Sequence, residues 1–346
     1  MKTIGIAIIG AGRMGQLHAA NFYRCVADAS VVAVCDANRQ AAEALARELG
    51  AKAYADTAEL LQAGEVDAVV ITTPVMTHKA IAVQALEAGK HVFCEKPLAL
   101  RLEDAREIVC KAEESGKVFQ LGFMRRFDRG YEAAWQKIRE GAIGTPVFVR
   151  STSRDPGLPP VPGWGCYPEK SGDISYELCS HDYDSVRWLL GDEVDTVFAQ
   201  AAVLSSHKEK QLCGGRMMND TLAAALRFKG GALGTVEGLL NIKYGYDART
   251  EIIGDEGVIL IGQPNHLDLV VATGDKQIKL PAAPSFTDRF ADAYVREANH
   301  FAECIRSGSQ PLVGARDGLA AAKIAHAANL SIERGAPVPV EGETAQ

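Results

Sequence analysis

The sequence lacks the features of several large classes of protein. It contains no run of basic residues, and its net charge of −7 is a mild value that does not favour nucleic-acid binding. No apolar stretch approaches the ~20 residues that span a bilayer. The first residues already follow the pattern of a core strand, which is not typical of a cleaved signal peptide. We therefore expect a cytoplasmic protein with neither a nucleic-acid partner nor a membrane partner.

Closely spaced cysteine pairs are also missing. The eight cysteines are scattered and no CxxC pair occurs, so we predict buried, reduced thiols and neither a disulfide framework nor a structural zinc site. Cys179 and His181 are close in sequence, but two potential ligands do not make a metal site. The sequence thus predicts no bound metal.

The chain is long enough for two domains. Its 346 residues are 47% hydrophobic and 23% charged, as in ordinary globular proteins. Up to residue 122, short apolar strands alternate with helices, which indicates a parallel, doubly wound sheet. The predicted strands cover residues 4–9, 31–35, 66–71, 91–94 and 118–121, and the predicted helices cover 41–49, 57–62 (capped by Thr57), 79–88 and 103–115.

After residue 122 the pattern becomes mixed or alternating, with hairpin-type links such as Lys229-Gly230-Gly231. Strands are predicted over residues 146–153, 194–202, 221–228, 232–241, 250–253, 258–261 and 267–271. We therefore expect an α/β Rossmann domain over residues 1–122, followed by an α+β domain over 123–346 with a large, mostly antiparallel open sheet. Helices over about 289–307 and 315–333 pack against that sheet or back onto the first domain.

A glycine-rich segment near the start of the chain is the strongest local signal. An apolar, β-branched run ends in Gly10-Ala11-Gly12-Arg13-Met14-Gly15, and a helical pattern follows at once. In such a motif Gly10 permits the tight turn, Gly12 lets the backbone approach a pyrophosphate, and Gly15 lets the helix pack close to the strand. The first helical turn, which includes Arg13 and Met14, then directs its N–H groups at the phosphates.

The second strand pattern ends in Asp36, about 20 residues beyond Gly15, which is the spacing of an acid that binds the adenosine ribose hydroxyls. A carboxylate there would repel a 2′-phosphate, and Ala37 follows where an NADP site favours a basic or small polar residue. We therefore expect NAD. Arg39 is near enough to keep NADP as an alternative, and a surface carboxylate that closes the strand is the other interpretation of Asp36.

Ligands of a doubly wound sheet bind at the carboxyl ends of its strands. That edge includes Thr72-Thr73-Pro74, of which Thr73 and Pro74 are expected to border the cofactor, and Glu95-Lys96-Pro97. At this edge Lys96 could donate to a substrate hydroxyl and stabilise the developing alkoxide, although a surface lysine in a turn has the same pattern. His78, on the next helical turn, is either a helix N-terminal contact or a cofactor contact.

The stretch from Tyr176 to Gly191 follows the pattern of one helix. Glu177 and His181 are then four residues apart on one face, where the carboxylate can fix the tautomer of the imidazole and raise its basicity. Such a histidine suits a general base that removes a hydroxyl proton. Asp184 lies one turn further on the same face, and an ion pair on the helix surface is the alternative.

These motifs resemble those of the glucose–fructose oxidoreductase / inositol dehydrogenase / rhizopine catabolism family over nearly the whole chain. The residues that carry the resemblance are Gly10-x-Gly12-x-x-Gly15, Asp36, Glu95-Lys96-Pro97, and Glu177-x-x-x-His181 before Asp184-x-x-Arg187-Trp188-Leu189. Residues 122–128, 153–156 and 244–249 are similar to its inositol 2-dehydrogenase branch. The resemblance implies an NAD-dependent oxidoreductase that converts a secondary ring hydroxyl of an inositol (myo-, scyllo- or a related cyclitol), or of a similar pyranose, to the ketone. It also implies a homotetramer associated through the second-domain sheet.

The resemblance assigns roles within the site. Lys96 would orient and polarise the hydroxyl and His181 would take its proton, with Glu177 standing where most relatives carry an aspartate. The expected substrate-binding residues are Lys96, Arg126, Asp155, Glu177, His181 and Tyr244, and the expected cofactor-binding residues are Gly10, Gly12, Arg13, Met14, Gly15, Asp36, Thr73, Pro74, Glu95 and Lys96. Tyr244 and Tyr246 lie two apart on a predicted strand, and Tyr244 is favoured as the pocket residue.

Two other activities stay open at this point. Some relatives are glycoside hydrolases that use NAD transiently, and they keep the same nucleotide-binding motif. Others are non-catalytic NAD-sensing regulators, a reading that predicts loss of Lys96 and His181, both of which are present.

Overall fold

The computed structural model describes residues 3–160, 163, 166–215, 217–262 and 283–340. The chain divides into two compact units, of which unit 1 comprises Met1–Phe127 with Asp292–Ala322, and unit 2 comprises Asp128–Ala291 with Lys323–Gln346. The prediction divides the chain once, after residue 122, whereas residues 292–322 return to unit 1. The prediction leaves open that the C-terminal helices pack back onto the first domain.

Unit 1 is built on a parallel sheet of six described strands in the order β3-β2-β1-β4-β5-β6. The strands are β1 (Ile4–Ile9), β2 (Ala29–Cys35), β3 (Lys52–Tyr54), β4 (Ala68–Ile71), β5 (His91–Glu95) and β6 (Phe119–Gly122). The helices are α1 (Arg13–Cys25), α2 (Arg39–Leu49), α3 (Thr57–Leu61), α4 (His78–Glu87) and α5 (Leu102–Ser115). This strand order is that of the Rossmann fold and confirms the predicted class. The prediction missed β3, a short strand without an apolar pattern.

Unit 2 contains a mixed sheet of seven described strands in the order β12-β11-β7-β10-β9-β8-β13. The strands are β7 (Pro146–Arg154), β8 (Val194–Ala202), β9 (Thr221–Phe228), β10 (Leu233–Leu239), β11 (Asp247–Gly254), β12 (Val258–Ile261) and β13 (Val338–Pro339). The helices from residue 128 onward are α6 (Arg129–Arg139), α7 (Pro168–Ser171), α8 (Asp173–Glu177), α9 (Ser180–Leu190), α10 (His207–Leu212), α11 (Phe286–Arg289), α12 (Ala291–Ser307) and α13 (Ala315–Arg334).

Strands β7 and β10 run parallel, and the other neighbouring pairs of this sheet are antiparallel. The predicted α+β domain with a mostly antiparallel sheet is therefore confirmed. The strand predicted over 267–271 lies outside the described residues. None of the helices in the described ranges is long and apolar enough to cross a membrane.

The core of unit 1 includes residues from the far end of the chain. Phe301 on α12 is fully buried and packs edge-on against Phe22 and Phe93, with ring centroids 6.4 and 5.8 Å apart. Burial of a phenylalanine side chain contributes roughly 1.5–3 kcal/mol. These contacts attach α12 to the first sheet and account for the return of residues 292–322 to unit 1.

The predicted continuous helix over 176–191 is wrong, because α8 ends at Glu177 and α9 begins at Ser180. The N–H of Cys179 bonds to the carbonyl of Ile174 at 3.0 Å, which interrupts the regular ladder. A Cβ at Gly238 of β10 would lie 2.4 Å from Cys179 Sγ, so the junction packs directly on the sheet. Leu178 and Cys179 keep right-handed helical backbone angles, so the side chains continue nearly in helical order across the break. The spacing of apolar residues in the sequence therefore does not indicate it.

The predicted cap of α3 is also wrong, because Asp56 and not Thr57 caps the helix. The Asp56 side chain accepts the N–H of Glu59 at 3.0 Å, and Thr57 is the first helical residue.

The prediction that every cysteine is a reduced thiol is wrong for two of them. Cys166 and Cys213 form a disulfide, with Cα atoms 5.2 Å apart. They are separated by 47 residues in sequence, so no local spacing indicates the pair. The free thiols are Cys25, Cys35, Cys94, Cys110, Cys179 and Cys304, of which Cys25 and Cys110 are exposed.

Candidate functional site

The glycine-rich turn after β1 has the geometry that its residues predict. Gly10 has a φ of +105°, and a Cβ at Gly15 would lie only 1.8 Å from the carbonyl oxygen of Gly10. Both glycines are therefore required by the backbone itself. A Cβ at Gly12 would meet no protein atom within 4 Å. Protein packing does not require glycine at position 12, which fits a position that admits a ligand to the backbone.

The N-terminus of α1 follows this turn directly. Gly12 occupies the cap position without a side-chain hydrogen bond, and the N–H of Gln16 makes an intrahelical bond to Gly12 O at 2.9 Å. Arg13 is exposed and Met14 is half-buried. The start of a helix presents N–H groups and the positive end of its dipole, which favour a phosphate.

Asp36, at the end of β2, holds the turn in place. Its Oδ2 accepts the N–H of Ala11 at 2.7 Å and its Oδ1 accepts the N–H of Asn38 at 2.7 Å. On the other side, the hydroxyl of Thr72 lies 2.9 Å from the carbonyl oxygen of Gly10. Each carboxylate oxygen can accept more than one hydrogen bond, so Asp36 can brace the turn and still accept ribose hydroxyls.

Thr73 and Pro74 continue from β4 into a short turn. The hydroxyl of Thr77 lies 2.7 Å from Thr73 Oγ1 and 2.8 Å from Pro74 O. His78 is buried, with Nδ1 2.9 Å from Pro97 O and Nε2 2.9 Å from Thr73 O. Burial lowers the pKa of His78, although these two hydrogen bonds oppose the shift. The described contacts of His78 thus connect the segments that follow β4 and β5.

Lys96 follows β5 and is half-buried. Its backbone N–H donates to Glu95 Oε2 at 3.1 Å, and the Lys96–Pro97 peptide bond is cis. The other oxygen of Glu95 lies 2.7 Å from Nε2 of the buried His18. The Glu95 carboxylate is therefore held by protein groups, and its predicted contact with the cofactor stays a prediction.

Arg126 has protein partners within unit 1. The side chain is 4% exposed, and it donates to Leu312 O at 3.0 Å and to Asp317 Oδ1 at 2.8 Å. These contacts connect the segment after β6 to residues that precede and begin α13. The predicted contact of Arg126 with substrate stays a prediction.

His181 belongs to unit 2, where it lies buried in the first turn of α9. Its neighbour Asp182 accepts the hydroxyl of Ser151 at 2.6 Å through Oδ1 and that of Ser153 at 2.7 Å through Oδ2. The first turn of α9 is thereby anchored to the end of β7, directly before Asp155. Glu177 ends α8, and the helix break places it in a different helix from His181.

Asp155 lies in a loop at the carboxyl end of β7. Its Oδ1 accepts the N–H of Gly157 at 2.6 Å, and its backbone bonds to Leu239 at 2.9 Å and to Ile242 at 3.1 Å. Because β7 and β10 are parallel, their carboxyl ends lie at the same edge of the sheet. This edge of unit 2 therefore presents the predicted residue Asp155 beside the anchored start of α9.

The two tyrosines do not share a strand face as predicted. Tyr244 lies in a turn before β11 and is 43% exposed. Its hydroxyl donates to Asp247 Oδ2 at 2.8 Å and accepts from Arg154 at 3.1 Å, and burial raises its pKa. Tyr246 is buried against Phe286 and Phe290. Of the two, Tyr246 packs in the core and Tyr244 has an accessible ring.

Sequence reasoning missed two residues that shape these segments, His18 and Asp182. Thr72 belongs to the strand-end segment Thr72-Thr73-Pro74 that the sequence predicts, although no contact with Gly10 was predicted for it. The sequence gives no signal for His18, which lies among the apolar positions of a helix. Asp182 was missed because one continuous helix over 176–191 places Asp184, and not Asp182, on the face of Glu177 and His181.

The described residues fit a dinucleotide, because an open approach to Gly12, a helix N-terminus and the Asp36 carboxylate stand at one strand edge. They provide no group of three or more histidine, cysteine or acidic side chains that could hold a metal, as far as the described ranges extend.

Two family models match the chain. One, described as an oxidoreductase family with an NAD-binding Rossmann fold, matches residues 4–123. The other, described as the C-terminal alpha/beta domain of an oxidoreductase family, matches residues 136–340.

Curated relatives match along almost the full length. The chain is 38% identical to the scyllo-inositol 2-dehydrogenase (NAD(+)) of Bacillus subtilis, over 97% of this chain and 96% of that protein. It is 34% identical to the myo-inositol 2-dehydrogenase of Thermotoga maritima, over 97% and 98%. Among solved structures, scyllo-inositol dehydrogenase from Lactobacillus casei with bound NAD(H) and scyllo-inositol matches with a TM-score of 0.86 and 31% identity, over 98% of this chain and 99% of that one.

Proposed function

The chain belongs to the glucose–fructose oxidoreductase / inositol dehydrogenase / rhizopine catabolism family, and from that premise we propose that it oxidises a secondary ring hydroxyl of an inositol to the ketone with NAD. The observation that most supports NAD as the cofactor is the position of Asp36 at the glycine turn, where its Oδ2 accepts the N–H of Ala11 at 2.7 Å. A carboxylate at that place favours ribose hydroxyls and disfavours a 2′-phosphate. The similarity to inositol 2-dehydrogenases over nearly the whole chain supports the substrate class.

We propose a separate role in this reaction for each of the predicted site residues. When bound, NAD supplies the ring that accepts a hydride from the alcohol carbon. Lys96 donates to the oxygen of that alcohol and stabilises the charge that develops on it. His181 takes the hydroxyl proton as general base. Glu177, Asp155, Arg126 and Tyr244 are proposed to bind the other hydroxyls, because a polyhydroxylated ring requires several fixed donors and acceptors.

A substrate screen tests this proposal. The purified protein is incubated with NAD or NADP and with scyllo-inositol, myo-inositol, other inositol isomers and common aldoses, and NADH is followed by its absorbance. We expect NADH formation with at least one inositol and a preference for NAD. Failure of all inositols, with an aldose oxidised instead, would overturn the substrate class while leaving the reaction type in place.

The same assay separates the two other activities. A hydrolase that uses NAD transiently would release sugar from a glycoside without net NADH. A regulator would bind NAD and show no turnover with any substrate. The presence of Lys96 and His181 favours the dehydrogenase over both.

We also propose a homotetramer that associates through the sheet of unit 2. One face of this sheet is covered, as shown by the buried side chains of Val149, Val236 and Leu226. On the other face the strand register aligns four apolar residues in one row: Val258, Ile253, Phe148 and Leu233. Val258 is 52% exposed and Leu233 is 46% exposed. An exposed apolar row of this kind can be covered by the same row of a second copy of the chain.

Sedimentation analysis tests this assembly. Wild-type protein is expected to sediment as a tetramer, and Leu233→Arg is expected to shift it to smaller species. A monomeric wild-type protein would contradict the proposal.

We propose a cytoplasmic location, since six of the cysteines are free thiols and two of these, Cys25 and Cys110, are exposed. The Cys166–Cys213 disulfide opposes this location, and the proposal requires that the pair be reduced in the cell. The test is to quench whole cells with acid, unfold the protein in denaturant so that the buried thiols become accessible, alkylate it and analyse it by mass spectrometry. A reducing compartment predicts that all eight cysteines are alkylated, including Cys166 and Cys213. Protection of that pair alone would place the protein in an oxidising environment.

A further inference from the structure

A cluster of buried titratable side chains adjoins the strand end that carries Lys96. His18 on α1 is 0% exposed, Glu95 at the end of β5 is 6% exposed and Glu297 on α12 is 0% exposed. The side-chain amide of Gln120 on β6 donates to Glu297 O at 3.0 Å. All four residues belong to unit 1, and the roles proposed above do not use His18, Gln120 or Glu297.

Hydrogen bonds connect this cluster to Lys96. Glu95 Oε2 accepts the Lys96 backbone N–H at 3.1 Å, and Glu95 Oε1 lies 2.7 Å from His18 Nε2. A Cβ at Gly122 would lie 3.1 Å from the Glu95 carboxylate, so β6 also restricts that side chain. The Glu95 carboxylate is therefore fixed from both of its oxygens, and it connects α1 to the backbone of Lys96.

The contacts indicate how protons are distributed. Nδ1 of His18 has no hydrogen-bond partner among the described residues, whereas Nε2 is directed at Glu95 and can donate to it. Both carboxyl oxygens of Glu297 also have no hydrogen-bond partner within the described ranges. Burial, with the charge of Glu95 as the next cause, raises the pKa of Glu297 well above its usual value. Of the two buried carboxyl groups, Glu297 is thus the one whose surroundings favour the protonated form.

We propose that His18 and Glu297 are positioning residues for Lys96: His18 fixes the Glu95 carboxylate that accepts the Lys96 N–H, and the buried Glu297 side chain adds no second charge to the cluster. A second buried charge beside Glu95 would repel it and move it from the Lys96 backbone. The proposal rests on the proposed function, because it takes Lys96 as the group that contacts the reacting hydroxyl.

Two variants of His18 test the kinetic part. His18→Leu removes the donor to Glu95, whereas His18→Gln supplies an amide N–H in its place. With NAD and the inositol that the wild type oxidises fastest, we expect His18→Leu to lower kcat roughly 10- to 100-fold with little change in either KM. His18→Gln is expected to recover much of that loss. Equal losses in both variants, or an effect confined to KM, would overturn the positioning role.

An infrared measurement tests the charge arrangement without any substrate. At neutral pH the wild-type protein should show the C=O stretch of a protonated, buried carboxyl group. Glu297→Gln is expected to remove this band, whereas Glu95→Gln and the exposed control Glu303→Gln are expected to keep it. Absence of the band from the wild type, or its survival in Glu297→Gln, would contradict the proposal. If no inositol is oxidised, the proposed function fails while this measurement still gives its own answer.

Discussion

Asp36 accepts the backbone N–H of Ala11 through Oδ2 at 2.7 Å, so the residue expected to select the cofactor also braces the turn that binds it. We predict that Asp36→Ser combined with Ala37→Arg increases the ratio of kcat/KM for NADP to that for NAD by about tenfold or more, because a carboxylate that repels the 2′-phosphate is replaced by a cation. Ala37→Arg alone, which keeps Asp36, is the control and should change the ratio much less. An unchanged ratio in the double variant would count against the role of Asp36.

Gly12 provides a sharper test of the pyrophosphate site. A Cβ at Gly12 meets no protein atom within 4 Å, so Gly12→Ala should leave the thermal unfolding midpoint nearly unchanged. The same methyl group should obstruct the approach of the pyrophosphate and weaken NAD binding by about tenfold or more, as measured by calorimetry. Gly64→Ala is the matched control, since its Cβ also meets nothing within 4 Å. Equal NAD affinity in Gly12→Ala and Gly64→Ala would show that the ligand does not approach this backbone.

The sequence predicts five of the six described strands of the first sheet, because local residue patterns indicate them. Most residues of the buried parallel strands are apolar, and Gly10, Gly12, Gly15 and Asp36 stand at the spacings that a dinucleotide-binding motif requires. β3 was not predicted because its three residues, Lys52–Tyr54, do not form an apolar run. Local patterns of this kind also predicted β8, β9 and β12 with the bounds that the structure has.

The parts that sequence reasoning missed depend on contacts between distant residues. The break between α8 and α9 lies where Cys179 packs on Gly238, and the disulfide joins residues 47 apart. Glu297 reaches the cluster around Glu95 because α12 returns to unit 1. Residue spacing and hydrophobic period do not contain this information, because these contacts depend on how the helices and strands pack.

The main roles predicted for Lys96 and His181 are chemical, so neither side chain is expected to supply a large part of the affinity for NAD. Lys96→Ala and His181→Ala should each lower kcat by roughly 10²- to 10⁴-fold, the usual contribution of general acid–base groups, while the affinity for NAD measured by calorimetry stays close to that of the wild type. Tyr23→Phe, an exposed position in unit 1, serves as the control variant. Retention of more than about a tenth of the activity in either alanine variant would refute the role assigned to that residue.

Glu297 is predicted to make stability depend on pH. Burial raises its pKa well above 4.5, so between the usual carboxyl pKa and this raised value the folded state holds a proton that the unfolded state has released. The contribution of this proton to the free energy of unfolding is complete at pH values below the usual carboxyl pKa. It is lost as the pH rises towards the raised pKa, and the free energy of unfolding then falls by at most about 1.4 kcal/mol per pH unit. The free energy of unfolding of the wild type minus that of Glu297→Gln, from urea titrations at several pH values from 5 to 8, should therefore fall as the pH rises. The corresponding difference for Glu303→Gln, exposed on the same helix, should show no such trend. A difference for Glu297→Gln that is constant with pH would mean that the native carboxyl has the same protonation as the unfolded one.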